Sequence, residues 1–152
     1  MRIDLIERKQ WIPTDLDTVW NFFATPLNLN EMTPKDLHFE ILTDLKGKKM
    51  YKGMIINYKI QPFPLVKFRW TTEITQCEEG KYFIDEQRFG PYSFWHHQHH
   101  FEQAEGGVWM RDLVHYGLPL GPLGLLAKEI FVRKKLESIF DYRREKIEQL
   151  FG

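Results

Sequence analysis

The chain has 152 residues, 43% hydrophobic and 28% charged, with 21 basic against 21 acidic side chains. That length fits one domain over residues 1–152, and the balanced charge predicts no nucleic-acid partner. Cys77 is the only cysteine, which excludes an internal disulfide. No signal-like apolar run follows Met1 and no stretch reaches the roughly 18 apolar residues a bilayer demands, so a cytoplasmic location is expected.

The first segment, Ile3 to Ile12, reads as a strand that Pro13 stops. Thr14 and Asp17 have capping-box spacing, and Leu16, Val19, Trp20 and Phe23 follow with helical periodicity. Thr25-Pro26 predicts a second short helix, limited by Pro34. From Leu37 to Tyr116 the period becomes two. Leu37, Phe39 and Ile41 share one face of a strand, and Met54, Ile56, Tyr58 and Ile60 share one face of the next. Phe68, Trp70, Thr72 and Ile74 alternate with charged or polar neighbours in the clearest strand of the chain. Turns at Gly47 to Gly53, Pro62 with Pro64, Glu79-Gly80, Gly90-Pro91 and Gly106-Gly107 predict an antiparallel meander. Gly121-Pro122 then opens a long helix to about Leu150. Its apolar stripe is Leu125, Val132, Leu136, Ile139, Phe140, Ile147 and Leu150. The predicted class is α+β: one strand, two short helices, six strands and a long C-terminal helix.

Alternation places Phe83, Asp85, Gln87 and Phe89 on one strand face. Trp95, His97, His99 and Phe101 share a face of the next strand, and Met110, Asp112, Val114 and Tyr116 a face of the last. Each set mixes large apolar groups with polar ones, so the polar groups go inward with the apolar ones. Asp85, Gln87, His97, His99 and Asp112 are therefore expected to meet in the interior, where polar groups must find partners. Such a cluster serves as a structural network, as the polar end of a ligand site, or as a general acid and base. His97-x-His99 with Asp112 is also a weak metal pattern, but His96 and His100 fall on the opposite face, and no metal is predicted. Nothing resembles a P-loop, a dinucleotide fingerprint or a zinc finger, and no cofactor is predicted.

The run Phe83-x-Asp85-x-Gln87-x-x-Gly90-Pro91-Tyr92, then Trp95-x-His97-x-His99-x-Phe101, then Met110-x-Asp112-x-Val114-x-Tyr116-x-x-Pro119-x-Gly121 resembles a small bacterial subfamily of unassigned activity within the START-like (SRPBCC) superfamily. The resemblance implies a helix-grip fold, in which a seven-stranded antiparallel sheet curls around the C-terminal helix. It also implies a cavity between the two for a lipid, quinone or polyketide-like molecule. The expected lining is Tyr58, Trp70, Phe83, Trp95, Met110, Val114 and Tyr116, with Asp85, Gln87, His97, His99 and Asp112 at the polar end. Two alternatives stay open. One is a cyclase or dehydratase that moves protons through His97 and His99 with Asp85 and Asp112. The other is an interaction scaffold with a collapsed cavity. Leu123, Leu126 and Ile130, beside Arg133, Lys134 and Lys135, are expected at the pocket's mouth, in transient contact with a membrane surface.

Overall fold

The computed structural model describes residues 2–119 and 125–152, with residues 63 and 125–128 described by their backbone. β1 (Asp4–Ile12) leads into α1 (Leu16–Phe23), a 3-10 turn (Pro26–Asn28), α2 (Leu29–Met32) and a second 3-10 turn (Lys35–Leu37). Then come β2 (Glu40–Ile41), β3 (Ile55–Phe63), β4 (Val66–Glu78), β5 (Tyr82–Phe89), β6 (Phe94–Ala104), β7 (Gly107–Gly117) and α3 (Leu125–Phe151). The strands form one sheet in the order β1-β7-β6-β5-β4-β3-β2, and every pairing is antiparallel. β1, first in sequence, pairs along its whole length with β7, so residues over a hundred positions apart share a ladder. This is the predicted helix-grip arrangement.

Local chemistry explains where the elements depart from expectation. The cap of α1 is Asp15 rather than Thr14. Asp15 directly precedes the first helical residue, and its carboxylate accepts the Thr18 backbone N–H at 2.8 Å and the Thr18 hydroxyl at 2.7 Å. The strand expected from Leu37 shrinks to Glu40 and Ile41. Lys35–Leu37 turns as a 3-10 helix, His38 adopts a left-handed φ of 47°, and the ladder with β3 is confined to Glu40 and Ile41. Phe89, expected inward with Asp85, is 74% exposed. A register shift between Thr71 and Thr72 puts Phe89 opposite Thr71 and Gln87 opposite Thr72, and the extra residue inverts the alternation.

On α3 the buried stripe is Leu136, Phe140, Arg143 and Ile147, flanked by the partly buried Val132 and Phe151. Leu150, expected in that stripe, is exposed, because steps of three and four from Phe140 reach Arg143, Ile147 and Phe151 instead. Leu125 and Leu126 carry no described side chain, and Leu123 and the predicted start at Pro122 lie outside the described residues. Among the described residues no helix is long and apolar enough to cross a membrane.

The core has two apolar clusters. The larger joins α1 (Val19, Trp20, Phe23) to Ile56, Ile74, Phe83, Phe101, Met110 and Ile147. The smaller joins Ile6, Val114 and Tyr116 to Leu136 and Phe140, with Tyr92, Trp95 and Val132 against it. What lies between the clusters is polar. The β6–β7 turn sits tightly on β1: a Cβ on Gly107 would stand 2.5 Å from the Ile12 carbonyl oxygen and 2.6 Å from the Trp11 ring. Gly107→Ala is therefore expected to cost about 1–3 kcal/mol in urea unfolding, because backbone must move. An unchanged midpoint would mean that β1 yields freely at this turn.

Candidate functional site

Strand register assembles the site. Arg8, Asp112, His99 and Phe83 lie side by side across β1, β7, β6 and β5, and Ile6, Val114, His97 and Asp85 form the next row. His97 and His99 are two residues apart on β6, so their rings stand on the same face and stack, with centroids 3.6 Å apart and planes at 30°. Phe83 stacks on His99 at 4.0 Å, and the Phe140 ring of α3 meets His97 edge-on at 5.7 Å.

The stacked pair bridges two carboxylates. His97 Nε2 lies 2.8 Å from Asp112 Oδ1, and His97 Nδ1 lies 3.4 Å from Asp85 Oδ2. His99 runs the other way, with Nε2 2.6 Å from Asp85 Oδ2 and Nδ1 3.4 Å from Asp112 Oδ1. The Trp95 indole N–H donates to Asp85 Oδ1 at 3.1 Å. From α3, a terminal nitrogen of Arg143 comes within 3.5 Å of both Asp112 Oδ1 and His99 Nδ1. His97, His99, Asp112 and Arg143 are each less than a tenth exposed. Two carboxylates stand against one guanidinium, and the imidazoles complete their hydrogen bonding.

Each charge depends on the others. Burial opposes ionisation of Asp112, but Arg143 and the His97 hydrogen bond outweigh it and hold the carboxyl well below its ordinary range. Burial also opposes ionisation of Asp85, and the two histidines reverse the balance and lower it. Burial, with His97 beside it, pushes His99 down from 6.5 to about 4. A neutral His99 that donates from Nε2 to Asp85 keeps Nδ1 as the acceptor facing Arg143.

The other expected site residues divide. Tyr58, Trp70, Trp95 and Tyr116 gather with Tyr92 into an aromatic wall: Trp70 stacks on Tyr58 at 5.6 Å and meets Tyr92 at 5.4 Å and Trp95 at 5.1 Å. Tyr92 in turn lies 6.1 Å from Tyr116, and Val114 packs behind that ring. Phe83 and Met110 belong to the larger cluster on the far side of the box. Gln87 leaves the box altogether. It clamps the β5–β6 turn by donating to the Tyr92 carbonyl at 2.7 Å and accepting the Tyr92 N–H at 3.1 Å. Sequence reasoning missed Arg143 and Tyr92. Arg143 had a signal, since it stands three residues after Phe140 and four before Ile147. Tyr92 stood in the quoted motif after Gly90-Pro91, but the turn that aims it inward depends on Gln87.

The Trp70 indole N–H is buried and has no hydrogen-bond partner among the described residues, while burial pushes the Tyr58 and Tyr92 hydroxyls up. Beside Asp112 and Arg143 lies a cavity of about 20 Å³, also lined by Arg8, Gln10, Met110 and Phe140. That volume matches a single water. Asp85, His97 and His99 each offer a metal-ligating atom within 4.8 Å of the others. The near-parallel stack sends the imidazole lone pairs side by side toward carboxylates rather than converging on one point, which suits hydrogen bonding better than tetrahedral coordination.

No family model and no curated protein matches the sequence. Solved structures do match. The Zhui aromatase/cyclase from Streptomyces sp. R1128 aligns over 96% of this chain and 92% of its own, with a TM-score of 0.75 at 11% identity. Protein CV1439 from Chromobacterium violaceum covers 97% of both chains at 0.73 and 12%. Major latex-like protein 151 from Panax ginseng covers 98% of this chain and 97% of its own at 0.65 and 12%. The chain shares the helix-grip fold of these structures. Identities this low carry the fold and nothing finer.

The box makes stability depend on pH. His99 binds its proton less tightly folded than unfolded, so its contribution is complete above pH 6.5 and is lost as pH falls toward about 4. The melting temperature should fall by roughly 5–10 °C between neutral pH and the low end of that window. His99→Gln should flatten the slope there. A wild-type melting temperature constant across the window would show that His99 titrates normally.

Proposed function

We propose that this protein binds a small, flat, largely apolar molecule at the aromatic end of the grip. The ligand would lie between the wall of Tyr58, Trp70, Tyr92, Trp95 and Tyr116 and the α3 side chains Val132 and Leu136, with the Asp85–His97 edge of the box as its floor. The observation that carries this reading is the buried Trp70 N–H in the middle of that wall, which has no partner among the described residues. An unpaired buried donor costs about 1–3 kcal/mol, and a carbonyl or hydroxyl oxygen on a ligand would recover it. Several aromatic rings around one polar group is the composition of a site for ring systems such as quinones or polyketides. The fold shared with an aromatase/cyclase supports the same class.

The geometry favours binding over proton transfer. A general base needs a nitrogen turned toward the ligand, whereas all four imidazole nitrogens face Asp85, Asp112 or Arg143. On this reading Phe83 and Met110 support the box from behind and do not touch ligand, and Gln87 acts by positioning Tyr92. A drug-sized ligand needs about 300 Å³ or more, so α3 or the neighbouring turns must shift to admit it.

Titration of tryptophan fluorescence with 2-methyl-1,4-naphthoquinone tests the proposal. Saturable quenching is expected, weakened about fivefold to tenfold in Trp70→Phe, which removes the N–H and keeps a ring. Non-saturable quenching in the wild type, or unchanged affinity in Trp70→Phe, would refute the site.

A further inference from the structure

The meander puts the β3–β4 turn, the β5–β6 turn, the start of β1 and the exit of β7 at one end of the sheet. That end is unusually apolar at its surface. Leu65, at the tip of the β3–β4 hairpin, is 96% exposed, and Val66 beside it is exposed too. Leu65 also holds a left-handed φ of 65°, a conformation that costs a non-glycine residue free energy. Neither its conformation nor its contacts stabilise the fold. Pro62 and Pro64 restrict the backbone approaching the tip. Phe89, in the last β4–β5 pair, is largely exposed, and Ile130 is half exposed on α3.

Immediately behind the tip the outer face of the hairpin is cationic. Lys59 and Arg69 stand directly opposite each other, a like-charge pair that disfavours the ladder, and Lys67 precedes them on the same face of β4. Glu40 lies across from Lys59 on β2. Among the described residues none of the three cations lies within 4 Å of a carboxylate. Arg69 also lines an open groove with Leu42, Asn57 and Thr71.

We propose that the β3–β4 hairpin docks the protein onto an anionic phospholipid surface, with Leu65 and Val66 entering the headgroup–acyl boundary and Lys67, Arg69 and Lys59 meeting phosphates. The dimensions agree. Four residues of strand separate Leu65 from Arg69, about 13 Å, while interfacial apolar groups sink roughly 5–10 Å. With the tip inserted, the cations stand at headgroup depth. A protein groove could also cover Leu65, but it would have to place carboxylates opposite three cations, whereas an anionic bilayer offers phosphates to all three without shape matching. Docking would bring the aromatic end of the grip to the bilayer, although the surface stands on its own residues whether or not that end binds a ligand.

The test is co-sedimentation of the full chain with vesicles of phosphatidylcholine alone and with about 30 mol% phosphatidylglycerol, at about 0.05 M and about 0.5 M salt. Wild type should sediment with the anionic vesicles at low salt and be released at high salt. Leu65→Asn accepts the left-handed conformation and removes the apolar tip, and should weaken partitioning about tenfold. Lys67→Glu/Arg69→Glu, at exposed positions, should weaken it by more, at about fivefold for each cation lost. Circular dichroism confirms that the variants are folded. Wild type remaining in the supernatant with anionic vesicles, or both variants sedimenting like wild type, would overturn the proposal. Equal sedimentation on neutral and anionic vesicles would refute the phosphate contacts.

Discussion

Asp112 keeps its negative charge where solvent does not reach it, and the surrounding elements are tied to that charge. β6 supplies His97, whose Nε2 lies 2.8 Å from one carboxylate oxygen, and α3 supplies the guanidinium of Arg143 at 3.5 Å from the same oxygen. Through the stacked imidazoles the arrangement extends to Asp85 on β5 and to the Trp95 indole. An apolar contact tolerates sliding, but a buried charge does not tolerate losing its partner. The box thus fixes the height and rotation of α3 over the sheet, which apolar packing alone leaves loose.

The box also divides the grip. Toward α1 the core is dense and purely apolar, built on Trp20, Phe101, Met110 and Ile147. Toward the β7 exit the interior is an aromatic wall in which the Trp70 N–H finds no partner among the described residues, and Val132, Leu136 and Phe140 of α3 pack against it. A polar partition lets one half serve stability while the other stays open to change.

Much of this was legible in the sequence, for a definable reason. Strand alternation is a strict period of two, so His97 and His99 had to share a face, and Asp85 and Asp112 had to point with their apolar neighbours. Which histidine would meet which aspartate was not legible, because cross-strand pairing depends on turn length and bulges. The register shift at Thr71/Thr72 carried Phe89 to the surface against its own alternation. Gln87 looked like a member of the box and proved to be a turn clamp, since a side-chain amide satisfies a nearby backbone as readily as a distant carboxylate. Arg143 was hidden by its chemistry: a stripe read by hydrophobicity passes over a buried arginine. Two buried carboxylates against two imidazoles of uncertain charge called for a cation on the facing helix, and that imbalance was the missed signal.

The central claim is that the box acts as one electrostatic unit linking α3 to the sheet. A double-mutant cycle on Asp112→Ala and Arg143→Met, followed by urea unfolding at neutral pH, tests it most directly. Each single change should cost about 3 kcal/mol, because each strands a buried charge. The double variant should cost less than the sum by about 2 kcal/mol or more, because removing both leaves neither stranded. Strict additivity would contradict the account, and Arg143 would then be a helix residue that merely passes near Asp112.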